Sequence, residues 1–155
     1  MLETIAQVFA QLHFQYTEQF LSALLPVSLT VVIHGQGMGL AGRYFKRFAP
    51  AADGKTRAGT RTIVLIAIVG IMLAAHFIEV TAWAIFYFLT GMLQDFREAM
   101  LYSVNAYTTL GASNIELPGR WKGLGGFEAM TAMLMFGWST AVLAAVVQKT
   151  HSIDG

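Results

Sequence analysis

Residues 95–114 read DFREAMLYSVNAYTTLGASN, and this stretch divides into a short helix and a polar loop. Asp95, followed three residues later by Glu98, predicts a helix N-terminus, because acidic side chains cap free backbone N–H groups and favour the positive end of a helix. The helix is expected to run to about Tyr107, which gives a length of about 18 Å, half a bilayer. Its last carbonyls carry partial negative charge. The sequence therefore predicts a half-length helix whose C-terminal end favours a cation.

The composition around this stretch indicates a membrane protein. Of the 155 residues, 55% are hydrophobic and 12% are charged, about half the charged fraction of an ordinary soluble protein. A bilayer core needs about 20 apolar residues per helix, and residues 19–41, 63–90 and 124–148 meet this need. Residues 96–107 are too short to cross, and such backbone must be buried in protein or line water. The expected fold is all-α, with three transmembrane helices plus a short re-entrant helix and loop.

Residues 1–60 are expected to hold an N-terminal amphipathic segment, the first transmembrane helix and a basic loop. Apolar side chains in residues 1–18 recur at helical spacing, which predicts either an interfacial helix or an extension of the first span. The span ends in a glycine cluster whose last six residues, 37–42, match the letters GxGxxG. A dinucleotide site needs a strand before that motif, but an apolar helix precedes it here. Close helix packing or a turn out of the membrane is the expected role.

Six of the ten basic residues lie within residues 42–61, which are expected to form a loop: Arg43, Lys46, Arg47, Lys55, Arg57 and Arg61. Lysine and arginine beside membrane spans resist translocation, so this loop is expected on the cytoplasmic side. The N-terminus then lies outside, residues 95–122 lie on the outer side, and the C-terminus is cytoplasmic. The chain has no basic tract suited to nucleic acid.

Three ionisable residues lie inside the apolar spans, His34 in the first and His76 and Glu79 in the second. Such groups usually face a bundle interior or water. Three roles are open: hydrogen bonding between helices, ligation of a metal or haem, and pH sensing, because histidine titrates near physiological pH. Depth argues against a haem between the histidines, since His34 is expected about 10 Å and His76 about 20 Å from the cytoplasmic end. Hydrogen bonding between helices is therefore the expected role.

The run Thr108-Thr109-Leu110-Gly111 resembles the start of the selectivity filter in the potassium-channel superfamily. The family filter reads Thr-Val-Gly-Tyr-Gly-Asp, and its carbonyl oxygens replace the water shell of the ion. By this resemblance Thr109 corresponds to the filter threonine, Leu110 to the valine and Gly111 to the first glycine. The resemblance implies that carbonyl and hydroxyl oxygens of these three residues bind a monovalent cation.

The next three positions depart from the family filter. Ala112 stands in place of an aromatic residue, Ser113 replaces the second glycine, and Asn114 replaces the aspartate. Glycines serve in such a filter because alternate residues need positive φ, where serine is sterically penalised. The aromatic strut and the negative charge at the outer mouth are also absent. The conduction path is therefore expected to run over residues 108–114 and to pass potassium, or potassium and sodium with reduced selectivity.

The resemblance also implies supporting residues and an assembly. Asn105 is expected behind the filter as a hydrogen-bonding support, and Glu128 is expected either to hold the pore helix or to face the outer vestibule. A mid-helix glycine often bends the inner helix of the family, which makes Gly137 a candidate hinge, although glycine also serves close packing. Because one chain supplies one strand of the filter, four copies with closed cyclic symmetry are implied, forming a homotetramer.

Together these observations predict a cation channel subunit rather than an enzyme. Residues 61–150 are expected to form the pore domain and residues 151–155 a short tail. The expected setting is a bacterial inner (plasma) membrane, with lipid and further copies of the chain as partners, no cofactor, and K⁺ or Na⁺ in the pore. Two alternatives stay open: a membrane metal- or haem-binding protein that uses the three ionisable residues, and a non-conducting scaffold with a channel-like fold.

Overall fold

The computed structural model describes residues 1–48, 58–111 and 114–151, and within these ranges it is helical, with no strand. The helices in these ranges are α1 (Leu2–Phe48), α2 (Ala58–Leu89), α3 (Phe96–Tyr107) and α4 (Leu124–His151), with a 3₁₀ turn at Gly119–Trp121. Helices α1, α2 and α4 are long and apolar enough to cross a membrane. The all-α class and the three candidate spans are thereby confirmed.

Helix α1 is one continuous helix of 47 residues, so the N-terminal segment is an extension of the first span. Pro26 lies inside it, and its carbonyl accepts a hydrogen bond from the Thr30 hydroxyl at 2.9 Å. The Trp83 indole of α2 donates in turn to Thr30 at 3.0 Å. Since proline lacks a backbone N–H and weakens the helix around it, this chain of hydrogen bonds joins α2 to the part of α1 that Pro26 weakens.

Contacts divide the chain into two compact units, each of which draws on all three long helices. The first unit comprises residues 1–30 and 80–132 and contains α3 with its following loop. Its buried apolar core consists of Ala23, Trp83, Ala84, Tyr87, Met92, Leu93, Ala99, Leu117 and Leu124. The second unit comprises residues 31–79 and the described residues from 133 onward. Its core consists of Met38, Ala41, Phe45, Val64, Ile68, Met72 and Val146.

The glycine cluster of α1 is helical, so the alternative of a turn out of the membrane is wrong. Close helix packing is present at Gly37. A Cβ added at Gly37 would lie 2.7 Å from the Cβ of Ala75 on α2. That is closer than two packed carbon atoms approach, so the helices would have to move apart. We expect Gly37→Ala to lower the free energy of unfolding by about 1–3 kcal/mol, as measured by denaturant titration of detergent-solubilised protein.

Gly70 provides the matched control for this prediction, because among the described residues no atom lies within 4 Å of an added Cβ there. Gly70→Ala is expected to be neutral or to stabilise α2 by up to about 1 kcal/mol through helix propensity. Equal effects of the two substitutions would contradict the close contact at Gly37.

Candidate functional site

Helix α3 is the capped half-length helix that the sequence predicts. The Asp95 carboxylate accepts hydrogen bonds from the backbone N–H groups of Arg97 at 2.6 Å and Glu98 at 3.1 Å. Glu98 adds a second negative charge in the first turn, where the helix dipole favours it. The helix has 12 residues and ends at Tyr107. Its start, length and end are therefore confirmed.

The end of α3 is a Schellman-type cap that shapes the following loop. The Asn105 carbonyl accepts from the backbone N–H of Leu110 at 3.0 Å and of Gly111 at 3.4 Å, and the Ala106 carbonyl accepts from Thr109 at 3.0 Å. Such a cap places one residue in the left-handed region just after the helix, a position usually taken by glycine. Here Thr109 takes it, with φ of +57°.

Positive φ recurs at alternate residues in this loop, since Gly111 has φ of +63°. A β-branched residue at positive φ is a genuine outlier, and strain of about 1–3 kcal/mol at such residues is typical of ligand-binding and active sites. Thr109, Leu110 and Gly111 are all exposed, Leu110 by 68%. Three predicted filter residues thus lie on one exposed, strained loop, whereas Ala112 and Ser113 are outside the described residues.

Thr109→Gly is expected to raise the free energy of unfolding by about 1–2 kcal/mol, because glycine adopts left-handed φ without a steric penalty. Denaturant titration of the purified protein measures this change. The matched control is Thr108→Gly, because Thr108 has φ of −81° and its hydroxyl donates to the Val104 carbonyl at 2.7 Å. The control is expected to destabilise by about 1 kcal/mol. A Thr109→Gly variant no more stable than the control would contradict the strain.

Asn105 contacts the loop through its backbone rather than its side chain. The Asn105 side-chain amide donates to the Leu101 carbonyl one turn earlier in α3, at 2.7 Å. The Asn105 carbonyl, in contrast, holds the two loop N–H groups described above. Any support that this residue gives to the loop therefore runs through the main chain. Asn114, the last predicted filter residue, is exposed beyond the loop.

Glu128 joins three helices behind the loop. Its carboxylate is fully buried and accepts from the Tyr87 hydroxyl at 2.8 Å. The Ser103 hydroxyl lies 2.5 Å from the same carboxylate and 2.8 Å from the Val80 carbonyl. Because Tyr87 belongs to α2, Ser103 to α3 and Glu128 to α4, the network fixes α3 between its neighbours. Glu128 was expected either to hold the short helix or to face the outer vestibule. In the structure its carboxylate contacts α3 through Ser103.

Side-chain hydrogen bonds lie in the last segment of the loop between α3 and α4. Lys122 donates to Glu116 at 2.6 Å, and this hydrogen bond, together with the positive charge, lowers the pKa of Glu116. Both side chains are well exposed, so the pair contributes little stability. The Gln19 amide of α1 donates to the Arg120 carbonyl at 2.5 Å. The guanidinium of Arg120 lies 5.0 Å from the Trp121 ring centroid.

A second polar cluster brings together His34, His76 and Glu79 with Ser139. His34 Nδ1 lies 2.9 Å from Glu79 Oε1, and His76 Nδ1 lies 3.6 Å from Glu79 Oε2. The two Nε2 atoms lie 3.3 Å and 3.1 Å from the Ser139 hydroxyl. Each imidazole therefore lies between the same carboxylate and the same hydroxyl. The hydrogen bonding between α1 and α2 that the sequence predicts is present in this cluster.

The depth difference expected between the two histidines is wrong, because their ring centroids are 5.1 Å apart. The error arose from the length of α1, which continues to Phe48, about 10 Å beyond its expected end near residue 41. The geometry nevertheless does not suit a haem between the rings. Their nitrogens are directed at Glu79 and Ser139 rather than at a common iron between them.

Gly137 lies within the continuous helix α4. Among the described residues no atom lies within 4 Å of an added Cβ at this position. Close packing within the chain therefore does not require glycine here. The hinge stays a prediction for this residue.

Three side chains in these clusters were not predicted as functional partners, namely Tyr87, Ser103 and Ser139. The available signal was their polarity within apolar segments, because polar groups at membrane depth need partners. The sequence does not say which face of each helix meets which neighbour, so the pairing could not be assigned.

Comparison of the chain with protein-family models, with curated proteins and with solved structures found no match.

Proposed function

We propose that the chain is one subunit of a cation channel in which Thr109, Leu110 and Gly111 supply oxygen atoms to the ion path. The observation that carries this proposal is positive φ at alternate residues, Thr109 and Gly111, directly after a capped half-length helix. Alternation of φ turns successive carbonyls toward the same side, as a filter of carbonyl oxygens requires. Residues 112–114 would complete the path on its outer side.

The electrostatics of α3 support a cation at this end of the helix. The last turn of α3 carries no basic residue, so no cationic side chain within the helix offsets the partial negative charge at its C-terminal end. At the opposite end, Asp95 and Glu98 complement the positive end of the dipole. The helix therefore favours a cation, and disfavours an anion, beside Thr109.

The strain at Thr109 supports a functional role for its hydroxyl. Glycine would serve the Schellman-type cap without steric penalty, yet this position carries a β-branched residue with φ of +57°. A threonine adds a hydroxyl oxygen that a glycine lacks. We therefore assign the Thr109 hydroxyl and carbonyl to ion binding.

The exposed residues of α3 and its loop favour assembly of several chains. A re-entrant helix must be buried in protein or line water, yet Leu101, Val104 and Leu110 are 48%, 38% and 68% exposed in the single chain. Neighbouring copies would cover such side chains. Because one loop supplies one side of the ion path, the proposed assembly is a closed ring of four chains.

The proposed orientation places the loop after α3 on the outer side of a bacterial inner membrane. Lys46 and Arg47 lie in the last turn of α1, where basic residues resist translocation and stay cytoplasmic. The N-terminus is then outside and the C-terminus is cytoplasmic.

The test is cation flux from liposomes that contain the purified protein, with K⁺, Na⁺ or a large organic cation as the gradient ion. We expect flux of K⁺, with or without Na⁺, and no flux of the large cation. The ratio of K⁺ to Na⁺ measures how far the departures at residues 112–114 reduce selectivity. Protein that is folded and tetrameric, yet passes no cation, would overturn the channel and favour a non-conducting scaffold.

A further inference from the structure

The ligand-type atoms of His34, His76 and Glu79 converge in the second unit. Each residue offers one nitrogen or oxygen, and these atoms lie within 4.8 Å of one another. Both Nδ1 atoms face the Glu79 carboxylate, at 2.9 Å and 3.6 Å. In a tetrahedral zinc site the bonds are about 2.0–2.2 Å long, so neighbouring ligand atoms lie about 3.3 Å apart. Side-chain shifts of about 1 Å therefore bring all three atoms to a common ion.

Helix geometry and packing hold these ligands in place. His76 and Glu79 are three residues apart on α2, which puts both on the same face, and His34 approaches from α1. The ring of Trp138 lies 5.2 Å from His34 and the ring of Phe136 lies 4.8 Å from His76, measured between centroids. The side chains of His34 and Glu79 are fully buried, whereas that of His76 is 13% exposed.

The surroundings of the imidazoles suit ligation through Nδ1. A histidine that binds a metal through Nδ1 carries its hydrogen on Nε2 and donates it to a neighbouring acceptor. Here both Nε2 atoms lie within 3.3 Å of the Ser139 hydroxyl, which lies 3.8 Å from Met38 Sδ. A hydroxyl has two lone pairs and one hydrogen, so Ser139 accepts from both imidazoles and donates to Met38. Every hydrogen-bonding group named here is then satisfied.

We infer that this cluster binds one divalent transition-metal ion per chain, with Zn²⁺ as the best match. Two imidazoles and one carboxylate form a known zinc ligand set, with a fourth position for water. Mg²⁺ and Ca²⁺ prefer oxygen ligands, so they match the nitrogen pair poorly. The inference does not depend on the proposed channel, because residues 108–111 belong to the other unit.

The test uses the full chain without a histidine tag, purified in detergent, freed of metal by a chelator and then dialysed against Zn²⁺. Elemental mass spectrometry is expected to find one zinc per chain. Co²⁺ in place of Zn²⁺ is expected to give the intense visible absorption of a tetrahedral ion. Binding of less than one zinc per chain at saturation, or a weak octahedral Co²⁺ spectrum, would overturn the site.

Substitutions test whether the named residues are the ligands. Glu79→Gln and His76→Ala are expected to weaken zinc binding by more than about 100-fold, and the control His13→Ala, at a histidine that is not one of the three proposed ligands, is expected to leave it unchanged. Equal affinity in all three variants would overturn the assignment. Ser139→Ala keeps all three ligands but removes the shared acceptor, so a loss of about 10–100-fold is expected. If the ligand variants fail to fold, an unchanged affinity in Ser139→Ala decides against the proposed site.

Discussion

Gly111→Ala is expected to abolish cation flux through liposomes that contain the protein. Gly111 has φ of +63°, a region where a residue with a Cβ is penalised by about 1–2 kcal/mol. Among the described residues no atom lies within 4 Å of an added Cβ, so the substitution acts on the backbone rather than through a clash. Relief of the strain would turn the carbonyls of the loop away from a common side. The proposed ion path would then lose its oxygen ligands.

The matched control is Gly126→Ala, near the start of α4. Gly126 also has no atom within 4 Å of an added Cβ among the described residues, and its φ lies outside the left-handed region. This variant is expected to conduct like the unchanged protein. If flux persists in Gly111→Ala, and also in Thr109→Ala, the assignment of this loop to the ion path is wrong.

Glu128→Ala is expected to lower the free energy of unfolding by about 3–5 kcal/mol. The substitution leaves a cavity at a fully buried position, which costs about 2–5 kcal/mol for side chains of comparable size. It also removes the partner of the Tyr87 hydroxyl and one partner of the Ser103 hydroxyl, at about 1–3 kcal/mol for a buried group left without its hydrogen bond. Denaturant titration measures the change, and the loss of support for α3 is expected to abolish flux as well.

Two further variants separate the effect of the lost hydrogen bonds on stability from the effect of the cavity. Glu128→Gln has the same shape, accepts from Tyr87 and donates to Ser103, so a change below about 1 kcal/mol is expected. Tyr87→Phe removes one hydroxyl and is expected to destabilise by about 1 kcal/mol. If Glu128→Ala is tolerated as well as Glu128→Gln, the network does not hold α3.

The local features of this fold could be predicted because they depend on neighbours in the sequence. Asp95 caps α3 by accepting hydrogen bonds from the backbone N–H groups two and three residues later. The end of α3 at Tyr107 follows from the polar loop residues directly after it. The three long helices follow from apolar runs of sufficient length. The bounds were less accurate where no local signal ends a helix. Helix α1 passes through the glycine cluster and continues to Phe48.

The partners of buried polar groups could not be predicted, because they depend on how the helices rotate and pack. The sequence identifies Glu128 as a polar residue in an apolar span, but its contacts with Tyr87 and Ser103 join residues 41 and 25 positions away. The positive φ of Thr109 was also unexpected, since a β-branched residue disfavours it. The backbone hydrogen bonds of the Schellman-type cap, from Thr109 to Ala106 and from Leu110 and Gly111 to Asn105, hold that conformation.

Composition, and spacing within about four residues, were enough to predict three helices long and apolar enough to cross a membrane and the capped half-length helix. Only the packed structure could show that Glu128 holds α3 and that His34 joins His76 and Glu79. These outcomes depend on contacts between residues far apart in the chain. The geometry of these contacts forms only when the long helices pack at a fixed rotation and depth relative to one another.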